Sequence, residues 1–256
     1  MGKVRGWDPA FFFCIKGVSN ARLASYAASA GNGFGVDENT LEKIYDSLRK
    51  IGSISVRDSK TQKLVEKATG RSVPEVLDPT LLIDVDVMWA RPRLDFNTYV
   101  LIYGKLTKQE SAVIREWADR KKLLVVSVGH RLACADYVDL TAGPNEWVNW
   151  IDGAEVVISK YFHGLLVSLK RKKTVVQLLS RGKQEKICDV SIKLGIEREV
   201  RKELKKLSDF DQKMICGRKV MASEEFLYWQ AISWEFLGTV CGEARESNSN
   251  HYKMVS

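Results

Sequence analysis

The chain lacks the hydrophobic runs that membrane spans require: no apolar stretch approaches the ~18 residues a spanning helix needs. The apolar part of its opening segment, Phe11 to Ile15, is too short to read as a secretory leader, so a cytoplasmic location is expected. Cysteine is scarce and scattered: Cys14, Cys134, Cys188, Cys216 and Cys241 show no Cys-x-x-Cys spacing, which argues against a disulfide framework or a zinc knuckle. With 3 histidines and no His/Asp/Glu cluster at ligand spacing, no metal is expected. Aromatics interleaved with basic residues, the pattern that stacks bases, are also missing, so the net charge of +8 does not point to nucleic acid. The basic residues are spread out, with clusters at Lys170 to Lys173 and Arg198 to Lys206. They fit solvated helix faces, attraction for an acidic substrate, and peripheral association with a membrane.

What remains is an ordinary globular composition, 45% hydrophobic over 256 residues, enough for one large domain or two modest ones. Strands are expected at Phe11 to Lys16 and Leu23 to Ala30, the second running into the loop Gly31 to Gly35, whose glycines lack the spacing of a dinucleotide fingerprint. Asp37 is placed to cap a helix over Glu38 to Ile51, and Asp58 or Ser59 a helix over Lys60 to Thr69 closed by Gly70. Ser53 to Arg57 and Val76 to Ile83 read as strands, and Trp89 to Asn97, carrying Pro92 and several charges, as a linker. Beyond it strands at Tyr99 to Tyr103, Leu123 to Val128, Tyr137 to Leu140, Glu155 to Ser159 and Thr174 to Leu178 alternate with helices at Thr107 to Lys121, Glu146 to Trp150 and Phe162 to Lys172. That rhythm implies a parallel sheet with helices on both faces. The segment from Ile187 to Trp234 reads as helical, and Gly242 to Ser256 as a polar, frayed tail.

The most informative stretch is Ala154 to Lys173, a strand, a tight turn and a helix whose first turn carries His163 and Gly164. The first N–H groups of such a helix have no partner within it and the helix dipole is positive there, so the turn suits an anion. His163 at its mouth can hold or deliver a proton near neutral pH. Ligands in parallel sheets bind outside the carboxyl ends of the strands. Ser127 to Arg131, containing His130, and Ser159 to His163 both fall at such ends, so a shared crevice is expected.

Five segments taken in order resemble the polysaccharide pyruvyl transferase family: Ser25-Tyr-Ala-Ala-Ser-Ala-Gly31, Ile54-Ser-Val-Arg-Asp58, Val76-Leu-Asp-Pro-Thr-Leu-Leu82, Trp147 to Ile151 with Ala154-Glu-Val-Val-Ile158, and Ser159-Lys-Tyr-Phe-His-Gly-Leu165. The resemblance implies an α/β, glycosyltransferase-B-like fold of two Rossmann-like parallel-sheet domains, the first lacking its opening elements. On that reading residues 1–90 form the partial first domain, 91–205 the second with the donor-site histidine, and 206–256 the C-terminal helices and tail. It further implies transfer of an enolpyruvyl unit from phosphoenolpyruvate to sugar hydroxyls of a surface polysaccharide or its lipid-linked precursor, as in exopolysaccharide biosynthesis at the cell envelope, with no cofactor. His163 matches the family's candidate general acid. Arg57, in the segment matching Ser-Val-Arg-Glu/Asp, is the candidate clamp for the donor's carboxylate or phosphate. Lys160, Tyr161, Gly164 and His130 complete the expected substrate-binding set; some family members carry arginine at the position of Tyr161.

Blander roles compete at each position. Arg57 can simply pair with an acidic neighbour, Asp78 can cap the turn at Pro79, and Trp147 with Trp150 can form one buried helix face. Two other functions fit the same segments: a nucleotide-sugar-dependent glycosyltransferase, and a non-catalytic remnant that binds a glycan or a partner chain.

Overall fold

The computed structural model describes residues 23–31, 37–83, 98–179, 184–200, 210 and 213–252. These fall into two compact units, one of the residues up to Asp78 together with those from Tyr228 onward, the other Pro79–Leu227. Both are mixed α/β with parallel pairing. The expected strand Phe11 to Lys16, the linker Trp89 to Asn97 and most of the loop Gly31 to Gly35 lie outside the described residues.

In the first unit β1 (Ala24–Ala28) pairs in parallel with β2 (Ser53–Val56). The register breaks between Ser25 and Ala28, where Ala27 adopts a positive φ of 53° and its N–H is held by Ser55 Oγ at 3.1 Å. Helix α1 (Glu38–Arg49) is capped by Asp37, which accepts from the Thr40 N–H. Helix α2 (Ser59–Thr69) is capped by Asp58 and closed by Gly70 at φ 69°, a left-handed conformation that glycine adopts without steric cost. Leu48, Ile54, Val56 and Val65 pack between these helices and the strands.

The strand expected over Val76 to Ile83 does not form. Only Glu75 bridges to Val56, and Pro79–Leu82 is a short helix, α3. Proline cannot donate to a sheet ladder but is pre-shaped for the first position of a helix, so the Asp-Pro step turns the chain instead of extending it.

The second unit is built on a six-stranded sheet among the described residues, in the order β5-β4-β3-β6-β7-β8. Its strands are β3 (Tyr99–Tyr103), β4 (Leu124–Val128), β5 (Tyr137–Asp139), β6 (Val156–Ser159), β7 (Thr174–Gln177) and β8 (Met214–Cys216). The first five run parallel and β8 closes the edge antiparallel to β7. Between them lie α4 (Lys108–Arg120), α5 (Pro144–Gly153) and α6 (Phe162–Lys170). After β7 come α7 (Glu185–Lys193), α8 (Glu197–Val200), α9 (Gly217–Val220) and α10 (Glu224–Tyr252).

Strand β8 lies in the stretch expected to be helical. Three residues are too few to display either periodicity, and what recruits them is the open edge of β7. The tail, expected to fray from Gly242, instead continues α10 to Tyr252.

Strands β3, β4, β6 and β7 are almost wholly buried, because helices cover the sheet. Val100, Ile102, Val125, Ile158 and Val176 meet Ile114, Trp117 and Phe210 in the core. The winding reverses at β3: the chain runs out through β4 to β5, then returns to place β6 on the other side of β3. The carboxyl ends of β3 and β6 therefore flank a topological switch point, where open α/β sheets leave a crevice.

Candidate functional site at the switch point of the sheet

At the end of β6, Ser159 shapes the turn: its Oγ accepts from the Tyr161 N–H and donates to the Tyr161 carbonyl, both at 3.0 Å. Tyr161 is the residue before the first turn of α6, and no side chain caps that helix start. Phe162, His163 and Gly164 thus open a helix whose start carries the positive end of the helix dipole. His163 is exposed, its ring set edge-to-face against Phe162 at 5.2 Å, and among the described residues no hydrogen bond holds it. Gly164 has a packing reason to be glycine: a Cβ there would overlap Ser159 Oγ and stand 2.9 Å from Tyr103 Cδ1.

Tyr103, the last residue of β3, gathers the aromatic rings at the crest of the sheet. Its ring lies 4.9 Å from Trp147 of α5 and 5.0 Å from Tyr161. Burial, with Tyr161 adding to it, raises the Tyr103 phenol above its ordinary pKa. The following residue, Gly104, sits at φ 145° with the Lys160 side chain against it; a Cβ would come 2.7 Å from Lys160 Cβ.

His130 reaches this crest from the end of β4. The turn before it uses Gly129 at φ 75°, and Ser127 Oγ donates to the His130 carbonyl at 2.7 Å. Its Nε2 lies 2.8 Å from the Tyr161 hydroxyl. The two loops expected to converge therefore meet, and they do so across the end of β3. Burial first, and the nearby Lys105 charge second, lower the His130 pKa, so the imidazole is neutral at neutral pH.

The cations of the expected set are engaged by carboxylates. Lys160 is buried and its Nζ lies 2.7 Å from Glu110 Oε2, while Glu110 also accepts from the Thr107 N–H at 2.7 Å in the capping box of α4. Arg57 lies in the first unit, just beyond β2, where its guanidinium pairs with the buried Asp78. Asp78 thus holds a charge as well as preceding the turn at Pro79. Two residues of the basic run after α6 are likewise held: Arg171 clasps Asp152 with bonds of 2.6 and 2.5 Å, and Lys173 donates to the Asp152 carbonyl at 3.0 Å.

Sequence reasoning missed Glu110 as the partner of Lys160, a pair separated by 50 positions along the chain. It also missed the half-buried Tyr103 and Trp147 as neighbours of the turn. Among the described residues no group of three or more His, Cys, Asp or Glu side chains is arranged to hold a metal ion, and no helix is long and apolar enough to cross a membrane.

Residues 3–176 match the polysaccharide pyruvyl transferase family. The chain belongs to this family. Its match spans the first unit's described strands and the second unit's parallel strands, including Phe162-His163-Gly164. No curated protein sequence matches the chain.

The solved structures with remote likeness include two glycosyltransferases. One is the iron-containing dodecameric glycosyltransferase TibC from enterotoxigenic E. coli H10407, at 13% identity and TM-score 0.32, covering 61% of this chain. This chain spans 57% of the length of TibC. The other is the glycosyltransferase SnogD from Streptomyces nogalater, at 10% identity and TM-score 0.33, covering 82% of this chain and 86% of that one.

Proposed function

We propose that this chain moves a pyruvyl unit from phosphoenolpyruvate onto two hydroxyls of a sugar, forming a cyclic ketal on a surface polysaccharide or its lipid-linked precursor. The observation that carries the reading is an exposed histidine, His163, in the first turn of a helix at the switch point, within a segment that belongs to a pyruvyl transferase family. The donor brings a carboxylate and a phosphate, which suit the uncapped start of α6. Its methylene carbon must gain a proton to become methyl while positive charge develops at C2, and His163 in its imidazolium form supplies that proton. A sugar hydroxyl then attacks C2, phosphate leaves, and a second hydroxyl closes the ring.

Arg57, paired with Asp78 within the first unit, remains a proposed cation for an anionic group of the substrate, a planar fork suiting a planar anion. Lys160 stands at the turn with its charge balanced by Glu110, and a donor anion would compete with that carboxylate for it. The reaction proceeds in the cytoplasm on this reading, with basic residues drawing the chain to an anionic membrane surface that carries the acceptor. No cofactor enters the scheme.

The test is release of phosphate from phosphoenolpyruvate in the presence of methyl hexosides with free neighbouring hydroxyls, the sugar product being weighed by mass spectrometry. Wild type should form the ketal, and His163→Ala should lose roughly 100-fold or more in kcat. Sugar transfer from a nucleotide sugar, without ketal formation, would replace this function by a glycosyltransferase.

A further inference from the structure

Pyruvyl transfer needs more than an acid. Each sugar hydroxyl that attacks C2 must lose its proton, so the reaction needs a proton acceptor beside the acceptor oxygen as well as a proton donor beside the methylene carbon. The hydrogen-bonded pair of His130 and Tyr161 stands beside the proposed donor turn and is not used by the donor chemistry.

The geometry points to Tyr161 and His130 as the proton-accepting pair for the acceptor sugar, an assignment that rests on the pyruvyl-transfer reading. As the sugar oxygen bonds to C2 of the donor, the electrons of its O–H bond become the new C–O bond. The released proton passes to Tyr161 Oη, and the phenolic proton passes to His130 Nε2. His130 becomes imidazolium and then gives the proton to water. In the net reaction one hydroxyl proton replaces the proton that His163 delivers to the methylene carbon, and the other ends on phosphate or solvent.

Three observations support the pair. It is pre-set: Ser159 holds the Tyr161 backbone from both sides and Ser127 holds the His130 carbonyl, so the two side chains meet without further ordering. It spans the end of β3, which is the crevice where an acceptor must approach. The charge state is also right: burial, and the nearby Lys105 charge after it, lower the His130 pKa and so favour the neutral imidazole that can accept a proton.

The experiment uses the full chain and its Tyr161→Phe, His130→Gln and His130→Asn variants, with folding checked by circular dichroism. Two readouts are needed: the melting temperature with and without phosphoenolpyruvate, and phosphate release against pH, both with methyl hexosides and with water as the only hydroxyl source. All variants should keep the wild-type stabilisation by phosphoenolpyruvate, and each should lose roughly 100-fold in kcat. The Tyr161→Phe/His130→Gln double variant should be little worse than either single one, because the two act as a unit. In wild type kcat/KM should fall toward acid as His130 gains its proton, below the ordinary histidine range, and that fall should vanish in His130→Gln.

Variants that bind phosphoenolpyruvate and turn over within about threefold of wild type, or an acid limb that persists in His130→Gln, would overturn the pair while leaving pyruvyl transfer standing. A wild type that binds phosphoenolpyruvate yet releases no phosphate would remove the step assigned to the pair, and the assignment with it. A wild type that neither gains stability from phosphoenolpyruvate nor releases phosphate would overturn both.

Discussion

Lys160 and Arg57 show how a charge can be legible in a sequence while its use is not. Both residue types suit an anionic substrate, and both sit in segments that mark the family. In the folded chain each is met by a carboxylate, Lys160 by Glu110 and Arg57 by Asp78, from positions far away along the chain. Nothing in the local pattern announces such partners, because they depend on which strand ends the topology brings together. The Lys160–Glu110 pair is nearly enclosed, so removing one member leaves the other charge desolvated. Glu110→Ala should therefore destabilise the fold by about 3–5 kcal/mol in urea titrations, the loss of the α4 capping box included. Glu110→Gln, which keeps the cap, should cost less. Gly164 packs closely on Ser159 and Tyr103, so the absence of a side chain there lets α6 start where it does.

Among the elements, strands and helices with strong periodicity and clear caps were legible to within a few residues: Asp37, Asp58, Thr107 and Gly70 stop or start helices as their chemistry dictates. The failures are short or edge pieces. Val76 to Ile83 has strand-like composition but a proline in its middle, and β8 is a three-residue strand set by the edge of β7. The loop after β5 is a capped piece that sequence inspection passed over. Asp139, the last residue of β5, accepts from the Thr141 and Ala142 N–H groups of that loop and from Trp150 Nε1, each at 2.9 Å. Burial alone would raise its pKa; these hydrogen bonds outweigh it and hold the carboxyl below its usual range. A carboxyl with a depressed folded pKa stabilises above its unfolded value, roughly 3.9, and that contribution is lost as pH falls through the folded pKa. Asp139→Asn should therefore melt below wild type at pH 7, and the gap should narrow as thermal scans are taken down through the acid range below about pH 4.

At the scale of the molecule, the alternation of strands and helices in the second unit was sufficient to foresee a parallel sheet. The placement of His163 at a carboxyl end followed from it. What the pattern could not supply was the strand order, which alone makes the turn after β6 a neighbour of β3 and lets His130, from β4, reach Tyr161 across it. We propose that this switch-point turn serves phosphoenolpyruvate. The most direct test of this claim is the melting temperature of the chain with phosphoenolpyruvate and, separately, with a nucleotide sugar. Ligand at about 100 times its Kd stabilises the folded state by about 2.7 kcal/mol, so phosphoenolpyruvate should raise the melting temperature by a few degrees while a nucleotide sugar leaves it unchanged. A rise with the nucleotide sugar and none with phosphoenolpyruvate would contradict the claim.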